Sequence, residues 1–223
     1  MNFLDFLFPK RCVSCGRIGN YFCKRCISQV EFLKTPICPV CQRSAVGGRT
    51  HPGCLGKYNL DGLAVVCRYK GSVRRAISKL KYKWAGDISY ELCDLVSQNL
   101  WRFDLPKDTV LVPVPLHAHR MNWRGFNQAE LFSKVLAEKF KVSLGNYLKR
   151  RVETKSQVGL SKEERKRNLK DAFELLEPES KITGRTLVLV DDVFTTGSTL
   201  SAACKVLKKA GATSVWGLVL ALG

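Results

Sequence analysis

The 223-residue chain contains no long hydrophobic run. No stretch approaches the roughly 20 apolar residues that a membrane-spanning helix needs, and Met1 to Phe8 is too short, and too acidic at Asp5, to be a secretory signal. A protein that stays in the cytoplasm is expected. Acidic side chains are scarce: nineteen Asp and Glu face thirty-seven Lys and Arg, a formal net charge of +18. That excess favours polyanionic partners, either nucleic acid or phosphate-rich small molecules, without choosing between them. Neither G-x-x-x-x-G-K-[ST] nor G-x-G-x-x-G occurs, which disfavours a Walker nucleoside triphosphatase and a Rossmann dinucleotide site.

Cysteine, by contrast, is abundant and clustered: seven of the ten fall before residue 55. Cys12-x-x-Cys15, Cys23-x-x-Cys26, Cys38-x-x-Cys41 and His51-x-x-Cys54 form four knuckles, enough ligands for two tetrahedral Zn2+ sites. The two-residue spacing suits zinc because a tight turn aims both ligands at one ion. The simplest pairing joins Cys12, Cys15, Cys23 and Cys26, and separately Cys38, Cys41, His51 and Cys54; an interleaved pairing satisfies the same spacing. His51 is the weakest member, since beside Pro52-Gly53 it also reads as a solvated loop residue. A disulfide framework is disfavoured in a reducing compartment. Cys67, Cys93 and Cys204 lie in apolar patterns and read as small buried residues. Residues 1–57 carry nine basic and two acidic residues and little apolar periodicity, so a small module is expected in which metal substitutes for a core. Within it, Tyr21 and Phe22 lie among Arg17, Lys24 and Arg25, an arrangement that suits either base stacking on single-stranded DNA or a miniature core.

Residues 58–223 read as one α/β domain. A strand is expected over Leu63–Cys67, and Val73, Ile77, Leu80 and Trp84 then recur at helical spacing with a basic outer face. Further helices are expected over 87–100, 127–140 and 198–210, and strands over 110–115, 147–151, 186–190 and 214–220. Alternating strands and helices predict a mostly parallel sheet with flanking helices.

The stretch Val190-Asp191-Asp192-Val193-Phe194-Thr195-Thr196-Gly197-Ser198-Thr199 carries most of the chemistry. The apolar run Leu187–Val190 predicts a buried strand, and ligands of open α/β sheets collect where such strands end. Two adjacent carboxylates there match a pair of ribose hydroxyls, and a divalent cation would relieve their mutual repulsion. The following turn offers hydroxyls and backbone N–H groups at a helix start, which is a phosphate cradle. A phosphorylated ribose, above all 5-phosphoribosyl-1-pyrophosphate (PRPP), is the expected ligand. Arg120 and Arg124 follow a strand ending in prolines and can grip phosphate oxygens; a solvated basic loop is the alternative. Residues 156–161 lack periodicity and suit a flexible lid containing Gln157, capped by a short helix over 162–170 on which Arg165 and Asn168 share one face and either touch ligand or pack the lid.

The segment 188–199 resembles the PRPP motif of type I phosphoribosyltransferases, and the chain as a whole resembles the ComF family, associated with DNA uptake in competent bacteria. The resemblance rests on the cysteine-rich amino end followed in order by Leu80-Lys81-Tyr82, Val112-Pro113-Val114-Pro115, Arg120 with Arg124-Gly125-Phe126-Asn127-Gln128, Gln157 with Leu160-Ser161, and Arg165, Arg167 and Asn168 before Ala172-Phe173. It implies a type I phosphoribosyltransferase-like sheet behind a zinc-ribbon module. Asp191 and Asp192 would hold the ribose, Thr195 to Thr199 the 5′-phosphate, and the loop after Pro115 the pyrophosphate. Mg2+ would accompany PRPP, and residues 155–168 would close over it. It further implies a role in natural transformation beside other DNA-uptake proteins, as a pentosyl transferase or as a PRPP-sensing or single-stranded-DNA-binding module without turnover. The acceptor is not legible in the chain.

Overall fold

The computed structural model describes residues 9–80, 85–116, 121–123, 125–151 and 172–223. Its centre is a parallel sheet of β1 (Gly62–Arg68), β2 (Val110–Pro113), β3 (Ser143–Leu144), β6 (Thr186–Phe194) and β7 (Ser214–Leu222), in the order β1-β7-β6-β2-β3. β4 (Leu148–Arg150) and β5 (Phe173–Leu175) form a separate antiparallel pair. The helices are α1 (Lys24–Ile27), α2 (Gly71–Lys79), α3 (Ala85–Ser97), α4 (Gln128–Phe140) and α5 (Ser198–Lys209).

The apolar runs fold as strands buried on both faces, and the two-residue alternation of side chains sorts them between two cores. Ala64, Val66, Leu111, Val188, Val190, Leu218 and Leu220 share one core with Val73, Ala76 and Ile77 of α2, Leu92 and Val96 of α3, and Phe132 and Leu136 of α4. Leu63, Val65, Val110, Val112, Leu187, Leu189 and Val219 face the other, with Leu200, Ala203, Cys204 and Leu207 of α5 and Leu148 and Phe173 of the β4–β5 pair. Helices therefore cover both faces, as the alternation of elements predicts. Cys67, Cys93 and Cys204 are fully buried, and burial pushes each thiol up to about 12, so none is a nucleophile at neutral pH.

The amino-terminal segment does not stand apart. Val13, Phe22 and Val30 belong to the first core, and Leu33 and Ile37 to the second. Phe22 is 2% exposed, which removes it as a base-stacking surface. The Glu91 carboxylate on α3 accepts the backbone N–H groups of Tyr21 and Phe22 at 3.0 and 2.5 Å. Residues 31–33 run antiparallel along β1: Leu33 N–H donates to the Val66 carbonyl at 2.9 Å and Arg68 N–H to that of Glu31 at 2.8 Å. Thr50 N–H reaches the Asp61 carbonyl at 2.9 Å, and Arg49 bridges Gly62. The ribbon thus covers the β1 edge of the sheet.

Three details depart from the sequence reading. α2 closes at Lys79, where Leu80 already caps it, ahead of Trp84, which lies outside the described residues. β3 and β5 are too short, at two and three residues, to leave an apolar period. β6 continues through Asp191 and Asp192 to Phe194, so the carboxylates lie within the strand and not after it.

Candidate ligand site and metal centres

β2 accompanies β6 only as far as the Pro113–Val190 pair, followed by one bond from Val114 N–H to the Val190 carbonyl at 3.0 Å. β7 continues beside β6 to the Phe194–Leu222 pair. Asp191 and Asp192 therefore occupy an overhang with one hydrogen-bonded neighbour, at the carboxyl edge of the sheet, and both are half-buried. Asp191 Oδ1 accepts the Asp192 N–H at 2.8 Å, which fixes the orientation of that carboxylate. Burial raises the Asp191 carboxyl well above the usual range, the Asp192 charge adds to the rise, and the Asp192 N–H and the more distant Arg150 charge oppose it. Such a carboxylate favours a partner that donates hydrogen bonds or carries positive charge.

The turn after β6 brings hydroxyls and backbone donors together. Thr196 Oγ1 and Ser198 Oγ lie 2.7 Å apart, and Ser198 N–H points at Thr196 Oγ1 at 3.4 Å. Gly197 holds φ +75°, and a Cβ there would sit 2.6 Å from the Phe194 ring, so both the backbone conformation and the space demand glycine. α5 begins at Ser198 with no side-chain cap. Beyond the Ser198 N–H, which Thr196 Oγ1 accepts, the next N–H groups and the positive end of the dipole suit an anion.

Two neighbours were not singled out for this role in the sequence. Arg150, at the end of β4, stacks its guanidinium 5.4 Å over the Phe173 ring and bears electrostatically on Asp191. Its only signal is the Arg150-Arg151 doublet closing a predicted strand. Asn127 is buried, donates from Nδ2 to the Val114 carbonyl at 3.0 Å, and caps α4 by accepting the Ala129 N–H at 3.1 Å. It ties the start of α4 to the end of β2 and so fixes both ends of the loop between them. Arg120 and Arg124 in that loop, and Gln157, Arg165 and Asn168 of the expected lid, lie outside the described residues.

The metal ligands gather in the sequential pairing. Ligand atoms of Cys12, Cys15, Cys23 and Cys26 lie within 4.8 Å of one another, as do those of Cys38, Cys41, His51 and Cys54. Burial pushes the Cys12 thiol up, but backbone N–H groups of Cys23, Cys15 and Ser14 outweigh it and bring it down to about 6. Burial of Cys38 is likewise outweighed by the N–H groups of Cys41, His51 and Val40, bringing it to about 7. Donors aimed at sulfur prepare thiolates for a cation. His51 Nδ1 lies 3.3 Å from Cys41 Sγ, while Nε2 lies 2.9 Å from the Ser44 carbonyl. Donation from Nε2 to that carbonyl leaves the Nδ1 lone pair for metal, the outer contact typical of a ligating imidazole. Ser14, between Cys12 and Cys15, accepts from Arg75 Nη2 of α2 at 2.8 Å. Both donor sets fit structural Zn2+, with four ligands each and no fifth role left for an open position.

Residues 3–55 match the double zinc ribbon domain, and residues 127–222 the phosphoribosyl transferase domain. Competence protein F of Haemophilus influenzae is 33% identical over 234 residues, spanning 99% of this chain and 100% of its own length. DNA utilization protein YhgH of Escherichia coli K12 is 32% identical over 209 residues, 89% of each chain. Competence protein ComFC of Bacillus subtilis is 26% identical over 206 residues, 86% of this chain and 80% of that one. With a relative similar over its full length and both domains present in order, the chain belongs to the ComF family of competence proteins, a double zinc ribbon joined to a phosphoribosyltransferase-like domain.

Proposed function

We propose that the protein binds PRPP, with Asp191 and Asp192 receiving the ribose hydroxyls and the Thr195–Thr199 turn receiving the 5′-phosphate. One observation carries this reading: a carboxylate pair on the β6 overhang runs directly into an uncapped helix start whose turn requires glycine at 197. Acceptors for hydroxyls and donors for phosphate then lie one turn apart, as a ribose 5-phosphate needs. Mg2+ bound with PRPP would supply the charge that neutralises a departing pyrophosphate. Arg120 and Arg124 would be the chain's own cations for the same end of the ligand, with Arg150 beside Asp191, and Gln157, Arg165 and Asn168 belong to the segment that would close over it. If turnover occurs, the C1–O bond to pyrophosphate breaks as a nucleophile bonds to C1, and fixed positive groups around the leaving group are the main source of rate.

The names of the relatives, competence and DNA utilization proteins, support a setting in which this ligand serves the handling of incoming DNA. Among the described residues no helix is long and apolar enough to cross a membrane. The +18 charge favours phosphate contacts to single-stranded DNA, whereas the burial of Phe22 argues against stacking there. Calorimetric titration of the zinc-loaded protein with PRPP and Mg2+ tests the ligand. Saturable one-site binding is expected, and absence of heat and of thermal stabilisation at millimolar PRPP would overturn the reading. Pyrophosphate release that requires an added acceptor identifies a transferase; binding without release identifies a sensor. Parallel titration with single-stranded DNA over a salt series should give an affinity that falls steeply with salt.

A further inference from the structure

The leading knuckles of the two zinc sites, Cys12–Cys15 and Cys38–Cys41, here the first and second, are copies of one turn, and they differ at one position that bears on the ligand site. In the first, Gly16 follows Cys15, holds φ +75° and has nothing within 4 Å of where a Cβ would stand; its N–H donates to the Cys12 carbonyl at 2.9 Å, and Cys12 N–H donates to Arg17. In the second, Gln42 follows Cys41 at φ 58°, its N–H donates to the Cys38 carbonyl at 2.9 Å, and Cys38 N–H donates to Arg43. The left-handed conformation favours glycine, so a glutamine there is held against a conformational cost. Its side chain crosses to the other domain: Gln42 Nε2 donates to the Thr195 carbonyl at 3.4 Å.

We propose that Gln42 is a positioning residue for the 5′-phosphate turn, through which the second zinc knuckle orients the phosphate-binding backbone. This rests on the PRPP reading above for the ligand, though not for the contact. The carbonyl of Thr195 and the N–H of Thr196 belong to one planar trans peptide and point in opposite directions. Holding the carbonyl from the ribbon side directs the N–H away from the ribbon, towards the turn that Thr196, Gly197 and Ser198 form. The bond also polarises the peptide and strengthens its N–H as a donor. Cys41, the preceding residue, is a metal ligand, and Ile37, bridged to Ser44 across the same knuckle, lies in the core that contains Phe194 and Leu222. The metal and this core thus fix where the amide reaches from.

The test is Gln42→Gly, which reproduces the first knuckle and removes the conformational cost together with the contact. Thermal stability at saturating zinc and a count of two zinc ions per chain should be unchanged or improved. Hydrogen exchange of the backbone amides in the 195–199 turn should accelerate several-fold. Affinity for ribose 5-phosphate should fall by about three-fold, the scale of one weak neutral hydrogen bond, while affinity for inorganic pyrophosphate should not change, which a general loss of structure could not produce. Unchanged exchange in the turn would overturn the proposal. Equal weakening of both ligands would overturn it as well, by making the effect non-specific. If the wild-type protein binds no ribose phosphate, the PRPP reading falls, and faster exchange in the Gln42→Gly turn still supports the link between knuckle and turn.

Discussion

Replacing Asp191 by Asn should move stability and affinity in opposite directions. In the ligand-free protein the ionised Asp191 is opposed by burial and by the neighbouring Asp192 charge, so its proton is held more tightly than in the unfolded chain. The sign follows from linkage: a carboxyl with a raised folded-state pKa favours the folded state at low pH, and that contribution is lost as pH rises from about 4, the ordinary value, through the raised one. Asn carries no charge at any pH. It should therefore melt like the wild type below about pH 4 and increasingly above it as pH rises to neutrality. Asn also retains an oxygen to accept the Asp192 N–H, as Asp191 Oδ1 does at 2.8 Å, so the local strand is preserved. Binding responds in the other sense, because a ribose hydroxyl would then donate to a neutral group or face an N–H. Loss of one charge-assisted hydrogen bond, about 1.5–3 kcal/mol, weakens PRPP roughly 10- to 150-fold. Differential scanning fluorimetry across pH and calorimetry with PRPP and Mg2+ measure the two effects. A variant that melts lower than the wild type at pH 7.5, or that binds PRPP with undiminished affinity, refutes the reasoning.

Gly197→Ala should lower PRPP affinity at least ten-fold and reduce the melting temperature, since it forces a Cβ to 2.6 Å from the Phe194 ring at φ +75°. Glu91→Gln keeps one oxygen for the Tyr21 and Phe22 N–H groups and turns an NH2 towards the other; urea unfolding in excess zinc should show a loss of about 2 kcal/mol, and a change below about 0.5 would refute the clamp. Metal analysis of the purified protein should find two zinc ions per chain, falling to one in His51→Ala, with the cysteines recovered as free thiols. Retention of both ions in that variant would remove His51 from the ligand set.

The sequence announced its metal-ligand sets and the Thr195–Thr199 turn because both are local: ligands two residues apart and a hydroxyl run at a helix start are defined by neighbours in the chain. The sheet was legible for the same reason, its long strands being continuous apolar runs. What stayed hidden depends on contacts distant in sequence. Arg150 and Asp191 are 41 positions apart and are brought together by the β4–β5 pair, whose short strands leave no period. The reach of Glu91 to Tyr21 and Phe22, and of Gln42 to Thr195, exists only once the ribbon is docked. The basic composition of residues 1–57 suggested a module that metal alone would hold, but composition does not reveal that Phe22 and Leu33 complete cores belonging to the sheet. Asp191 and Asp192 looked like residues after a strand because they are polar; β7 continues the ladder past them regardless of their side chains.

The cover that residues 31–33 and 49–50 place on β1 gives zinc a part in keeping the chain monodisperse. β1 is seven residues long, buried over Gly62–Cys67, and charged only at its last residue, Arg68; β7 pairs one side of it, and without the ribbon its other edge would lie open to any other copy that had lost its metal. Chelation should therefore produce self-association before it produces an unfolded monomer. A cell short of zinc would then lose this protein to aggregates while most of its sheet was still folded.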